Sequence, residues 1–321
     1  MSVQYSVIIP VYNGKDYLAD AVASVYRQHV SDFEIVLVDD GSTDGSGEIC
    51  DKFAAEDARV KVIHQKNAYL GAARNRGFER ASGKYVLFLD ADDILCDGVL
   101  EAAFLFDGAD IICSNRFYAY DCRTGKESVR TGDFSEGMEL RTVNTRLAAF
   151  SPYTAQSVYR REFVERSGVR FEETRINSED RVWTVRLIHL SKRTAVLDRP
   201  LYRYTEHREG SLMNRMTAAY ILDSLKALET LYEEADGFDY DPVDAVKEKI
   251  ANEFLCFCAC AALVRDREIG SRTMAYVREH LSILGSRHCA ARPFLWLRRV
   301  IGLRNLLKLC NAVFLHYTTD R

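Results

Sequence analysis

Over the first ninety residues, short apolar runs alternate with stretches of helical spacing. The segment from Tyr5, stopped by Pro10, reads as a first buried strand, Phe33 to Asp40 and Val60 to His64 as further strands, and Val86 to Leu89 as a strand buried on both faces. Between them, residues 16–28 carry Tyr17, Leu18, Val22 and Val25 at helical spacing. A second helix follows the tight turn Gly41-Ser-Thr-Asp-Gly, and a third spans residues 72–81 before Ser82-Gly83 closes it. Strand and helix in strict alternation predict a parallel sheet with crossover helices, an α/β fold.

The pattern loosens after residue 100. Residues 109–120 alternate in a way that suits a mixed or edge strand, and residues 135–149 read as a helix. A short strand at Gln156 to Tyr159 precedes a helix start at Arg160-Arg161. Ser178 is placed to cap a helix with Val182, Trp183, Leu187, Ile188 and Leu190 on its apolar face. A strand then leads into a polar loop around His207 and Ser211. From Met216 onward the spacing is helical, with breaks near Asp236-Gly237, Pro242 and Gly270. Three parts are expected: 1–100, 101–215 and a C-terminal helical extension, 216–321.

Composition narrows this picture. With 321 residues, 47% of them hydrophobic and only 5 Pro, the chain can bury a large core. A net charge of −4 argues against a nucleic-acid partner. The charge is uneven: residues 286–321 hold seven Lys/Arg against one acid, leaving −10 for residues 1–285. The start has no basic and apolar leader, no run of eighteen apolar residues occurs, and nine scattered cysteines suit reduced thiols. A cytoplasmic protein is expected. Cys256, Cys258 and Cys260 read as an apolar helix face. Residues 293–316 read as one amphipathic helix, with Val300, Leu303, Leu307, Cys310 and Phe314 opposite Arg304 and Lys308. Two readings stand open for that helix: it lies on an anionic inner leaflet, or it packs on the domain or on a second copy as a homodimer contact.

Candidate chemistry gathers where the strands end. Asp90, Ala91, Asp92 and Asp93 close the fourth strand, and strand geometry would turn Asp90 and Asp92 to one side with Ala91 away. Such a pair suits Mg²⁺ or Mn²⁺, which takes one or two carboxylates and completes its shell on phosphates. Asp39-Asp40 ends the second strand in the same way, and ligands of open α/β sheets bind at these carboxyl ends. There is no Gly-x-Gly-x-x-Gly or Walker loop. Glu179 and Asp180 open a helix; the plainer reading is a favourable interaction with the helix dipole.

Six segments in order now carry a resemblance: Val7-Ile-Ile-Pro-Val-Tyr-Asn, Val38-Asp-Asp-Gly-Ser-Thr-Asp44, Gly71-Ala-Ala-Arg-Asn-Arg-Gly77, Leu89-Asp-Ala-Asp-Asp93, Ser178-Glu-Asp180 and Tyr202-Arg-Tyr-Thr-Glu-His207. Over residues 3–212 the chain resembles the family 2 glycosyltransferases. The resemblance implies a GT-A fold, a nucleotide-sugar donor, most often a UDP-sugar, and inverting transfer to a saccharide or lipid-linked acceptor. It implies that Pro10, Val11 and Tyr12 wall the base pocket, that Asp40 reads the base, and that Arg74 lies near the nucleotide. Asp90, with Ala91 beside it, would contact ribose or sugar, and Asp92 would bind Mn²⁺ or Mg²⁺. Asp180 would be the general base, with Glu179 beside it, and His207 would complete the metal or phosphate site. Ser178, where Gly or Thr often stands, and the shifted spacing before His207 depart from the family pattern. Cell-surface polysaccharide or glycolipid assembly is the implied setting. The competing readings are a non-catalytic nucleotide-sugar-binding scaffold and a sugar-phosphate nucleotidyltransferase; the latter wants a Gly-rich basic loop where Tyr12-Asn13-Gly14-Lys15 stands.

Overall fold

A computed structural model describes residues 3–135, 137–150, 153–174, 177–207, 217–238, 243–263 and 267–312. The chain divides into two compact units: Met1–Arg175 with Glu179–Arg208, and Ile176–Ser178 with Glu209–Arg321.

The first unit opens with β1 (Tyr5–Val11), α1 (Leu18–Tyr26), β2 (Phe33–Asp39), α2 (Ser46–Glu56), β3 (Val60–His64), α3 (Tyr69–Arg80) and β4 (Tyr85–Phe88). These four strands pair in parallel in the order β3-β2-β1-β4, so the chain reverses direction across the sheet between β1 and β4. A crevice forms at such a reversal, beyond the carboxyl ends of the strands. Every residue of β1, β2 and β4 is buried, as expected for strands covered on both faces. Pro10 lies inside β1 instead of ending it. The β4 ladder stops at the pair Ile8–Phe88, so the side of β1 on which Pro10 lacks an N–H has no strand left to bond. Helix α3 sits close to this sheet: a Cβ on Gly77 would lie 2.3 Å from Ile8 Cγ2.

There follow β5 (Ile94–Leu95), α4 (Val99–Phe104), β6 (Ile111–Asp121), β7 (Lys126–Thr131), α5 (Leu140–Phe150), β8 (Ser157–Arg160), α6 (Arg161–Ser167), α7 (Glu179–Leu190) and β9 (Thr194–Glu206). Strand β8 runs antiparallel between β4 and β6, β9 joins β6 in parallel, and β5 and β7 add antiparallel edges. The mixed character expected of residues 109–120 is thus found. Pro200 pairs with Arg116 where the β6–β9 register shifts, an irregularity that accommodates a residue unable to donate. Trp183 of α7 packs edge-on to Phe88 and Tyr159 and stacks on Phe171, fixing the helix to the sheet.

One expectation at the fourth strand fails. β4 ends at Phe88, and residues 90–93 form a turn closed by the Asp93 N–H donating to the Asp90 carbonyl at 3.0 Å. Strand pleating therefore does not set the relation of Asp90 to Asp92.

The second unit contains α8 (Ala218–Glu234), α9 (Val243–Leu263), α10 (Arg267–Glu279), α11 (Leu281–Gly285), a 3₁₀ helix at Arg292–Leu297, α12 (Arg298–Ile301) and α13 (Leu303–Cys310). Among the described residues no helix is long and apolar enough to cross a membrane. Cys258 and Cys260 are buried on α9, where burial pushes the Cys260 thiol up to about 11. The single helix expected over 293–316 is not found. Pro293 starts a 3₁₀ turn, and Gly302 at φ +79 breaks the chain between α12 and α13. Leu307 and Cys310 of its expected apolar face are buried, while Val300 of the same face is 74% exposed. Phe314 lies outside the described residues.

Candidate functional site

The loops that follow β1 and β2 are joined by hydrogen bonds. Asn13 N–H donates to Ser42 Oγ at 3.1 Å, Thr43 N–H to Asn13 Oδ1 at 2.8 Å, and Gly14 N–H to Ser46 Oγ at 3.0 Å. Asn13 itself adopts φ 51. Tyr12 projects from this frame with 54% of its surface exposed, next to buried Pro10 and Val11. The acids at the end of β2 have different tasks. Asp39 accepts from Ser42 N–H at 3.0 Å and meets His64 Nδ1 at 3.0 Å. Burial raises its carboxyl, but the Ser42 and His64 hydrogen bonds outweigh that and hold it below the usual carboxylate range. Asp40 is buried and accepts from Gln65 Nε2 at 2.7 Å and Ala68 N–H at 2.8 Å, both on Oδ1. That grip fixes the plane of the carboxylate and orients its second oxygen. Gly41 permits it: a Cβ there would lie 2.8 Å from the Asn67 nitrogen.

The segment from Gly71 to Gly77 is a docking face on α3. Gly71 lets residue 172 approach, since a Cβ would lie 2.3 Å from the Glu172 carbonyl oxygen. Asn75 Nδ2 donates to the Phe171 carbonyl and to Glu173 Oε1, both at 3.0 Å. The stretch leading to the acid pair is thereby tied to α3 and the sheet half of β1 to β4. Arg74, 3% exposed, bridges the two sides: one guanidinium nitrogen donates to Asp90 Oδ1 at 2.9 Å and the other to Glu179 Oε1 at 2.7 Å. Ser178, expected to cap α7, adopts φ 63, a conformation costly for a non-glycine residue, immediately before the pair.

Burial dominates the electrostatics of the pair. It pushes the Glu179 carboxyl up to about 7, against Arg74 and with Asp180 and Asp90 adding to the rise. Asp180 is partly exposed at its rim, yet desolvation also raises its carboxyl, with Arg74 opposing. A raised carboxyl next to a fixed guanidinium is suited to accept a proton at neutral pH.

Asp90 and Ala91 are partly exposed, and Ala91 faces Gly14, whose added Cβ would lie 3.5 Å away. Asp93 is buried and accepts from Thr205 N–H at 2.8 Å, tying the turn to β9. Asp93, Asp92 and Asp90 together raise the Tyr204 hydroxyl after burial itself, so the three acids share one neighbourhood. Among the described residues no three potential metal ligands converge. Asp90 and Asp92 are carboxylates that could hold an ion there, a donor set that fits Mg²⁺ or Mn²⁺ completed by phosphate and water. His207 follows β9 at φ 61, near Asp121, whose carboxyl Arg123 chiefly holds down with His207 adding least, and it is not gathered into a three-ligand group with Asp90 and Asp92. Ser211 lies outside the described residues. Sequence reasoning missed Gln65 and Ala68, which carry no chemical signature of their own. It also missed Tyr153, a 40% exposed ring whose hydroxyl accepts from Arg181 at 3.3 Å.

A family model described as Glycosyl transferase family 2 matches residues 6–168, just over half of the chain. The chain belongs to that family. Glycosyltransferase GlyG of Streptococcus pneumoniae is 33% identical over 224 residues, 66% of this chain and 74% of GlyG. The uncharacterized glycosyltransferase EpsJ of Bacillus subtilis is 33% identical over 214 residues, 63% of this chain and 61% of EpsJ, so the match leaves over a third of EpsJ uncovered. The crystal structure of S. aureus TarS 1–349 in complex with UDP-GlcNAc superposes with a TM-score of 0.74 at 23% identity, covering 96% of this chain and 91% of that one. That likeness shows the fold, which is GT-A, with C-terminal helices following the family 2 sheet.

Proposed function

We propose that the chain transfers a sugar from a nucleoside-diphosphate donor, a UDP-sugar, to an acceptor hydroxyl with inversion. The observation that carries this reading is the Arg74 bridge. One buried guanidinium holds Asp90 at 2.9 Å, at the strand-end crevice, and Glu179 at 2.7 Å, beside Asp180, which supports a reading in which donor and acceptor would be handled around a common cation. The UDP-GlcNAc held by TarS supports a uridine donor. Tyr12 would stack on the base and Asp40 would accept from it. Asp180 would take the proton of the acceptor hydroxyl as its oxygen attacks the anomeric carbon, and the nucleoside diphosphate would leave from the opposite face. A Mn²⁺ or Mg²⁺ ion, when bound, neutralises the departing diphosphate. Asp92 and Asp90 would hold it. Contact of the chain with an anionic inner leaflet, where a lipid-linked acceptor would be met, belongs to the same proposal.

The test is calorimetric titration with UDP and with UDP-, dTDP- and GDP-sugars, with and without Mn²⁺, on the protein and on Asp180→Asn. Metal-dependent binding of one nucleotide is expected. The substitution should keep that binding and lower turnover by ~10²–10⁴-fold. Folded protein that binds none of them would overturn the nucleotide-sugar reading, and binding without turnover in the unsubstituted protein would point to the non-catalytic scaffold.

A further inference from the structure

The C-terminal helices carry apolar residues on two sides. Leu295, Leu306, Leu307 and Cys310 are buried, and α13 packs on α9. The other side needs a different account. Trp296 is 63% exposed, Val300 74%, Leu309 46%, Phe294 40% and Ile301 37%. Fourteen large hydrophobic residues are exposed among the described residues, and these five fall within sixteen positions. A soluble surface scatters such residues singly; their concentration marks a contact surface.

Charge says what the surface meets. No Asp or Glu occurs between residues 286 and 312, while Arg292, Arg299, Arg304 and Lys308 of the same stretch are exposed and Arg298 partly so. An isologous contact with a second copy would set this basic group against itself, at a cost in like-charge repulsion. An anionic lipid surface offers the opposite sign and an apolar layer beneath it, and Trp with Arg is the composition that lodges at such an interface. The break at Gly302 is what allows this. It lets α13 turn Leu306, Leu307 and Cys310 inward while the preceding segment keeps Trp296 and Val300 outward.

We propose that Phe294, Trp296, Val300, Ile301 and Leu309, together with Arg292, Arg299 and Lys308, form the surface that seats this protein on anionic lipid. This differs from the face that periodicity selects, whose Leu307 and Cys310 belong to the interior. It rests on the leaflet contact proposed above, and names its site.

The experiment is flotation of the full chain with phosphatidylcholine vesicles, alone or with about 30% phosphatidylglycerol, at low and high salt. The chain should float with the anionic vesicles only, and lose about tenfold in partitioning at high salt. Trp296→Ser with Val300→Ser should lower partitioning by about tenfold, and Arg298→Glu with Arg299→Glu by at least as much, without changing the melting temperature or UDP binding. Failure of the unsubstituted chain to float would overturn the leaflet contact and this surface together. Flotation unchanged in both double variants would overturn the surface alone. Light scattering that shows a dimer abolished by Trp296→Ser with Val300→Ser, with no flotation, would assign the surface to a second copy and end the proposal.

Discussion

At the scale of residues, the site rests on how Arg74 is compensated. It is buried with two carboxylate partners, and a buried charge that loses its partner is among the costliest defects a fold can hold. Arg74→Ala should destabilise the first unit by about 3–5 kcal/mol, read by urea denaturation, because Glu179 would remain buried and unpaired. Arg74→Met with Glu179→Gln should recover much of that loss while leaving transfer impaired. Glu179 also sets a pH dependence. Its carboxyl is raised from 4.5 to about 7, so between those values the folded chain holds a proton that the unfolded chain has released. Stability from this group is full below about pH 4.5 and is lost as pH rises towards 7. The slope of unfolding free energy against pH should therefore be less negative, or more positive, in Glu179→Gln than in the unsubstituted protein across that window. An equal slope in both would mean that Glu179 titrates normally.

At the scale of elements, α3 shows what short motifs encode. Gly77 admits Ile8 and Gly71 admits the Glu172 carbonyl, so the glycines of this segment set contact distances on two sides of one helix. Gly77→Ala should push α3 from β1, costing about 1–3 kcal/mol and lowering the melting temperature, even though alanine is the better helix former. The parallel strands were legible in the sequence because each is a short, mostly apolar run set between turns and stretches of helical spacing, a signal that needs no knowledge of neighbours. The turn at residues 90–93 was not, because Leu89 is as apolar as the strand before it and only the departure of β4 from β1 ends the ladder at Phe88. Glu179 and Asp180 could be picked out as an acid pair, but their tie to Asp90 through Arg74 depends on residues 105 and 16 positions apart. The single helix expected over 293–316 was divided because Gly302 at φ +79 breaks the stretch, and period alone leaves open whether its apolar face is packed or exposed; α13 packs Leu306, Leu307 and Cys310 inward beside α9.

At the scale of the whole molecule, strand order has a consequence for synthesis. β1 to β4 can pair as soon as residue 88 has emerged, but β4 then stands at the rim with its outer hydrogen-bonding groups open. Its sheet partner on that side, β8, begins at Ser157, and the pairing Val86–Tyr159 waits for about seventy more residues. At ordinary elongation rates of about 5–20 residues per second, a fully apolar edge is left uncovered for several seconds on the ribosome. A fragment ending at residue 100 should therefore aggregate, and one ending at residue 208 should stay in solution, as sedimentation would show. What reads as a complete nucleotide half in the sequence is, for the nascent chain, a window of exposure that chaperones would have reason to guard.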